Sequence, residues 1–303
     1  MIDQIKEINA QLPWIFALYF FVVGACVGSF LNVCIYRIPK NESVVTPRSH
    51  CGCGQPIAWY DNIPVLSWII LRGRARCCGR PFSFRYPAIE LVTAGLFLAC
   101  WLLFPAGKAI GGMVLVSLVL CATFIDLDHM IIPDVFTVGG GVAGVLLSLL
   151  LPALHGESHD YFFIASFRSG YDALLGLLIG SALVLWIALV AEAVLKKEAM
   201  GFGDVKFLGA LGAFVGWKGA VFSIFGGALI GTVWVVLLVL WRKVFGNPAV
   251  VAPKIETPDG QPAEIGLGVH ISFGPMLAAG ALLYFFVLHA QVDRYFESLQ
   301  LLF

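Results

Sequence analysis

Four carboxylates stand out in this 303-residue chain because nearly everything around them is apolar. Three lie in FIDLDHMIIPD, as Asp126, Asp128 and Asp134. The fourth, Asp204, follows Gly201-Phe202-Gly203 at the head of GFGDVKFLGALGAFVGW. Acids at membrane depth cost about 2.5–3.5 kcal/mol on insertion scales, so they indicate function by default. Two carboxylates brought close cannot both ionise easily. The pair then shares a proton, and a water held between them can be activated while the acid form protonates a leaving group. That is hydrolysis of a peptide bond with neither a metal nor a nucleophilic side chain. The glycines before Asp204 permit another backbone to approach closely, as an extended substrate must. A lone aspartate at a span end is commonly an interfacial cap, and Asp134 fits the N-cap of a following helix. The pairing of G-x-G-D with D-x-D-x-x-x-x-P-D carries more weight than either motif alone.

The elements that must position these acids are membrane helices. The chain is 59% hydrophobic and 13% charged, with a mean hydropathy of +0.90. Soluble domains run about 45–50% apolar and about 25% charged. A formal net charge of zero argues against a nucleic-acid binder. The first apolar run, Trp14 to Tyr36, is too long for a signal-peptide core and has no small-residue cleavage site after it, so it reads as a retained span. Further spans are predicted near 88–104, 109–125, 135–152, 172–194 and 270–290. The apolar stretch 205–241 is too long for one helix, and Gly216-Trp217-Lys218-Gly219 is predicted to break it in two. The fold class is therefore an all-α polytopic membrane protein with about eight transmembrane helices and a small cysteine-containing cytoplasmic insert.

Lysine and arginine set the orientation. The loop 37–87 holds Arg37, Lys40, Arg48, Arg72, Arg74, Arg76, Arg80 and Arg85 against Glu42 and Asp61, and is expected in the cytoplasm. Counting spans from there places Asp126 to Asp134 and Asp204 on that same face. The loop 153–171 is expected outside, and 242–269 reads as a Pro/Gly-rich linker. The predicted domains are the first transmembrane helix at 1–36, a cysteine-containing loop domain at 37–87, and a membrane-embedded peptidase domain at 88–303.

The two acidic segments resemble the paired signatures of the bacterial type 4 prepilin peptidases, membrane aspartic proteases of the GxGD type. GACVGSFLNVCIYRIP (Gly24 to Pro39), FRYPAIEL (Phe84 to Leu91) and ISFGPMLAAG (Ile271 to Gly280) are similar to that family as well. The resemblance runs from the first span to the last. It implies removal of the basic leader from type IV prepilins and type II secretion pseudopilins at the cytoplasmic face of the bacterial inner membrane. It further implies N-methylation of the new terminus with S-adenosylmethionine. The catalytic pair maps onto Asp126 and Asp204, with Asp126 preferred over Asp128, while Asp128 and Asp134 match motif positions that are not catalytic.

Of eight cysteines, Cys26, Cys34, Cys100 and Cys121 lie in apolar runs, where cysteine is usually a small buried hydrophobe. Cys51, Cys53, Cys77 and Cys78 cluster in the polar loop. The family's loop carries two C-x-x-C pairs, a spacing suited to zinc. Here the spacing departs to C-x-C and an adjacent pair, with Ala75 where a cysteine would fall. A structural Zn2+ held by all four thiolates is expected. The alternatives are a loop without metal, or three thiolates with His50. Disulfides are rare in the reducing cytoplasm. No Gly-rich G-x-G-x-x-G loop marks a site for the methyl donor. Glu90, beside Arg85-Tyr86-Pro87, is either a polar group near that site or part of an interfacial anchor, and Asn32 serves either helix packing or substrate.

A prepilin would bring an apolar helix and a basic leader. The Gly-rich faces Gly139–Gly144 and Phe225–Gly231 could admit the helix, although packing of the protein's own helices is the preferred reading. The leader would meet anionic lipid of the bilayer. A transporter that relays ions through the acids would need them at the midplane and would carry an inverted repeat. The sequence has neither feature, and an inactive scaffold would leave both acidic motifs without a role.

Overall fold

The computed structural model describes residues 12–196, 200–245 and 272–300. Within them run the helices α1 (Pro13–Arg37), α2 (Leu66–Ile70), α3 (Arg85–Leu103), α4 (Ala106–His129) and α5 (Asp134–Leu150). They are followed by α6 (Phe162–Leu195), α7 (Phe202–Phe245), α8 (Gly274–Leu283) and α9 (His289–Gln300). Six helical stretches are long and apolar enough to cross a membrane, and α5 is a shorter apolar helix. The protein is thus an all-α, multi-pass membrane protein. The expected linker 242–269 begins as the last residues of α7, and the remainder lies outside the described residues.

The 44-residue α7 is two helices joined at Gly216, whose φ of 71° and ψ of 175° leave the helical region. A positive φ is cheap only for glycine. The position that a Cβ of Gly180 would take lies 2.8 Å from the Leu208 carbonyl oxygen and 3.3 Å from Ala220 Cβ. In a straight helix those two residues would stand about 18 Å apart. The chain therefore doubles back at Gly216, as the Gly-Trp-Lys-Gly sequence predicts. Counting α5, α7 as two limbs, and α8 with α9 as one segment gives eight apolar helical segments among the described residues.

The expected loop 153–171 is corrected by the structure. Pro152–His155 forms a 3-10 turn, and α6 starts at Phe162 rather than near 172. Arg168, Ser169 and Asp172 lower the hydropathy of that stretch, but nothing there prevents a helix, since FFIASFRSGYD contains no proline.

The helices pack into two compact units, one comprising Met1–Cys121 with Val142–Asp172, the other Ala122–Gly141 with Ala173–Phe303. In the first unit, α1 lies against α3. Gly24 and Gly28 share one face of α1, and a Cβ at Gly28 would fall 2.7 Å from Glu90 Cα, so the backbones touch in the small-xxx-small manner of membrane helices. Phe20 stacks on Trp101 with ring centroids 4.3 Å apart. Cys34, Cys100 and Cys121 are buried as expected, but Cys26 is exposed, because it lies on the face of α1 opposite to Gly24 and Gly28. Asn32 Nδ2 donates to the Tyr86 carbonyl at 3.2 Å, a bond that joins α1 to the start of α3.

In the second unit, α6 crosses the first limb of α7 at a seam of small residues. A Cβ on Gly176 would overlap the Gly212 carbonyl, and one on Gly212 would overlap that of Gly176. The second limb meets α8 through Gly227 and Gly231, both pressed against Met276. Gly141 faces Leu177 of α6. The glycines expected either to admit substrate or to pack the protein's own helices do the latter at these positions.

Candidate active site

Asp126 sits in the last turn of α4. The helix closes with the Met130 N–H donating to the Asp126 carbonyl, and Met130 adopts a φ of 56°. Ile131, Ile132 and Pro133 then run without helix, as the proline predicts, and Asp134 opens α5. Two residues along a helix turn about 200°, so Asp126 and Asp128 cannot share a face. Asp126 is 5% exposed, whereas Asp128 is exposed. Asp126 Oδ2 accepts the hydroxyl of Ser272 and lies against Gly274, whose backbone N–H is a second donor to the carboxylate.

Asp204 occupies the third helical position of α7, half-buried. Its carboxylate reaches back to the N–H of Gly201, just ahead of the helix, as the acid of a capping box does. Ile132 fills the space between the two acidic segments. Its Cβ lies 3.7 Å from the Cβ position of Gly203, and its Cδ1 lies 3.0 Å from that of Gly274. Asp126 and Asp204 are close enough for the charge of one to bear on the other. The segments that carry Asp126 and Asp204, far apart in sequence, therefore meet at Ile132, Gly203 and Gly274. Asp134 instead turns to Lys206, 2.7 Å away, and to Thr137.

In the first unit, four thiols converge. Cys51 and Cys53 lie in a tight turn bracketed by a bridge between His50 and Pro56, and Cys77 and Cys78 in a turn bracketed by Arg74 and Pro81. The turns end on Gly54 and Gly79, with φ of 87° and 67°. The sulfur pairs Cys51–Cys78 and Cys53–Cys77 are 3.6 and 3.4 Å apart, and all four lie within 4.8 Å of one another. A tetrahedral zinc with Zn–S near 2.3 Å separates its sulfurs by about 3.8 Å, so the cluster has the dimensions to hold a metal ion. The thiols divide their protons unequally. Hydrogen bonds from the Cys53 backbone and the neighbouring thiols lower Cys51 to about 7, while Cys77, hydrogen-bonded to Cys53 and Cys51, is raised to about 12. Arg76 forks onto Asp61 at 2.8–3.1 Å beside the second turn, and this pair holds the Asp61 carboxyl below its usual range.

Residues 22–104 match the family model described as the bacterial peptidase A24 N-terminal domain, and residues 113–236 match that of the type IV leader peptidase family. The chain is 40% identical over 251 residues to the prepilin leader peptidase/N-methyltransferase of Myxococcus xanthus (strain DK1622), covering 82% of this chain and 69% of that relative. The protein of the same name from Klebsiella pneumoniae is 39% identical, over 72% of this chain and 92% of the relative. The chain belongs to the type IV leader peptidase family. It is also 38% identical to a type 4 prepilin-like proteins leader peptide-processing enzyme of Escherichia coli O78:H11 (strain H10407 / ETEC), over 71% of this chain and 81% of the relative. No solved structure matches it.

Membership of the leader peptidase family makes the chain an enzyme, and the geometry adds residues that the motifs alone do not single out. Ser272 and Gly274 lie in a stretch that shows family likeness without a chemical signature. A Gly-Pro pair opening a helix was the available signal, since proline belongs in a first turn and leaves the preceding N–H for another acceptor. Ile132 and Lys206 gave no signal beyond lying near an acid.

Proposed function

We propose that this leader peptidase family member cleaves the basic leader from type IV prepilins and type II secretion pseudopilins with Asp126 and Asp204 at the cytoplasmic face of the bacterial inner membrane, and then N-methylates the new terminus. The observation that carries the peptidase reading is that the segments bearing buried Asp126 and half-buried Asp204 meet at Ile132, with each acid within reach of the other's charge, while Asp128 faces outward. In this reading one carboxylate takes a proton from water as the water oxygen attacks the scissile carbonyl carbon. The other gives its proton to the departing amide nitrogen, so that the C–N bond breaks to a carboxylic acid and an amine. Neither aspartate forms a covalent bond to the peptide.

Residues 88–303 would form the peptidase domain and 37–87 the loop domain concerned with methyl transfer, with 1–36 as the anchoring first helix. The positive loop 37–87 supports a cytoplasmic location for the site. The dimensions of the sulfur cluster fit a structural Zn2+ held by Cys51, Cys53, Cys77 and Cys78, which would fasten the two turns together. His50 Nδ1 lies 3.2 Å from the Arg48 carbonyl, and four sulfurs are at hand without it. The methyl donor would be S-adenosylmethionine, which supplies an electrophilic methyl group to the freed amine. Glu90 has a structural task besides any place near that donor: Oε2 accepts the Val65 N–H at 2.7 Å, and Ser29 hydrogen-bonds the same carboxylate. Glu90 therefore anchors the loop domain to α3.

The experiment is leader removal from a prepilin by the detergent-solubilised protein. Asp126→Asn and Asp204→Asn should each abolish it, and Asp128→Asn should retain it. Normal cutting by Asp204→Asn would falsify the carboxylate-pair mechanism.

A further inference from the structure

We propose that Ser272 is a positioning residue of the peptidase, which acts with the N-terminal end of α8 to clamp Asp126 by its Oδ2 oxygen and so aims Oδ1 at the hydrolytic water. The inference rests on the assignment of Asp126 to the chemistry and adds a third chain segment to the site, more than 140 positions away from that aspartate.

Three observations combine. First, both donors that reach Asp126 come from one place. The Ser272 hydroxyl and the Gly274 N–H bracket Phe273, and Oδ2 lies against both residues. Second, the start of α8 has a donor to spare. The first N–H groups of any helix lack partners within it. Phe273 caps α8 with no side-chain hydrogen bond, and Pro275 has no N–H, which leaves the Gly274 amide for the carboxylate. Third, the fit is close enough to exclude a side chain. A Cβ on Gly274 would overlap Asp126 Oδ2 and approach Ile132 Cδ1 to 3.0 Å.

The Ser272 hydroxyl and the close contact with Gly274 both fall on Oδ2. A clamp on that oxygen leaves Oδ1 for a water. The arrangement also answers an electrostatic difficulty. Asp126 lies in the final turn of α4, where the helix dipole opposes a negative charge. Contact with the start of α8 offers it the favourable end of another helix. Asp204 has the same benefit from its own helix, since it lies in the first turn of α7. Each carboxylate is thus held at a helix N-terminus, one directly and the other through Ser272 and Gly274.

A clamp of this kind acts on the geometry of the reacting group and leaves substrate affinity alone. Misplacement of a catalytic group by about 1 Å can cost on the order of a hundredfold in rate. Ser272→Ala in the full-length protein should lower kcat for leader removal by about 10- to 100-fold, with KM changed less than about twofold. Ser272→Thr, which keeps the hydroxyl, should recover most of the rate. Gly274→Ala, which pushes a methyl group into the carboxylate, should lose kcat to at least the same degree. If Ser272→Ala does not yield folded protein, Ser272→Cys, close in shape and a weaker donor, gives the same readout. Asp126→Asn is run alongside. A parental kcat for Ser272→Ala beside an inactive Asp126→Asn overturns the clamp and leaves the carboxylate pair standing. A rise in KM at constant kcat also overturns it, because Ser272 would then be a substrate contact. An active Asp126→Asn removes the assignment beneath it.

Discussion

Lys206 Nζ stands 2.7 Å from Asp134 Oδ1, an ion pair that spans 72 positions of sequence. It ties the first residue of α5 to the first turns of α7, two residues beyond Asp204. Lys206 also lies over the Phe202 ring, 5.3 Å from its centroid. Asp134 is 68% exposed in its side chain, and such pairs contribute about 0–1 kcal/mol. Lys206→Gln and Asp134→Asn should therefore lower the thermal midpoint only slightly. Leader cleavage should persist within about tenfold of the parent. A complete loss in either variant, measured beside Asp126→Asn, would move this pair from support to chemistry.

The seam between α6 and α7 leaves no room for side chains. Gly176 and Gly212 are in backbone contact, so either glycine replaced by valine must force the helices apart. Overpacking of this kind costs about 1–3 kcal/mol, and more where the backbone itself must move. Gly212→Val should lower the unfolding midpoint in detergent more than Gly139→Val does, since a Cβ at Gly139 meets only the Asp134 carbonyl at 3.8 Å.

His155 makes stability depend on pH. It is half-buried beside Ser148, with Ser148 Oγ 3.1 Å from Nε2, and desolvation with the nearby Lys108 charge lowers it from 6.5 to about 4. The unfolded chain then binds the proton more readily than the folded one. Stability from this group is fully present above about pH 6.5 and is lost as pH falls toward 4, by up to about 3 kcal/mol. Thermal unfolding followed between pH 7 and pH 4 should show that decline, and His155→Gln should flatten it.

The thiol cluster gives a metal prediction. Purified protein should carry about one zinc per chain, and Cys51→Ser with Cys53→Ser should remove it. Leader cleavage should survive the double substitution, because the aspartates belong to the other compact unit. Methylation of the product, read by transfer of a labelled methyl group, should fall. Retained metal after both substitutions would contradict the four-thiolate site.

Glu90 offers a separate handle on the loop domain. Val65, at a φ of 62°, directs its N–H at Glu90 Oε2. Glu90→Ala leaves that donor without its acceptor, at a cost of about 1–3 kcal/mol, whereas Glu90→Gln keeps an oxygen in place. Proteolysis within 41–84 should accelerate in the alanine variant and change little in the glutamine one.

What the sequence disclosed, and what it withheld, follows from the range of each interaction. Apolar run length revealed the spans, and the glycine-lysine break at Gly216 revealed that α7 is two limbs, because both signals are local. The acids were legible because charge in an apolar run is conspicuous. The early start of α6 was hidden, since hydropathy reports preference for lipid and not for helix. Nothing local shows that Ser272 meets Asp126 or that Lys206 meets Asp134. Such pairings come from how helices cross, and the residues involved are ordinary polar residues at ordinary spacing. The departed cysteine spacing obscured two closed turns, which the backbone of Gly54 and Gly79 completes without the usual intervening residues.

The close crossing at Gly176 and Gly212 has one more implication. Eight positions of helix, about 12 Å, lie between Gly212 and Asp204. The backbones are in contact there, so the acid stands about 12 Å along its limb from the crossing. Under the carboxylate reading, the bond that is cut is the one that arrives at this height, and the enzyme measures its substrate as a gauge does.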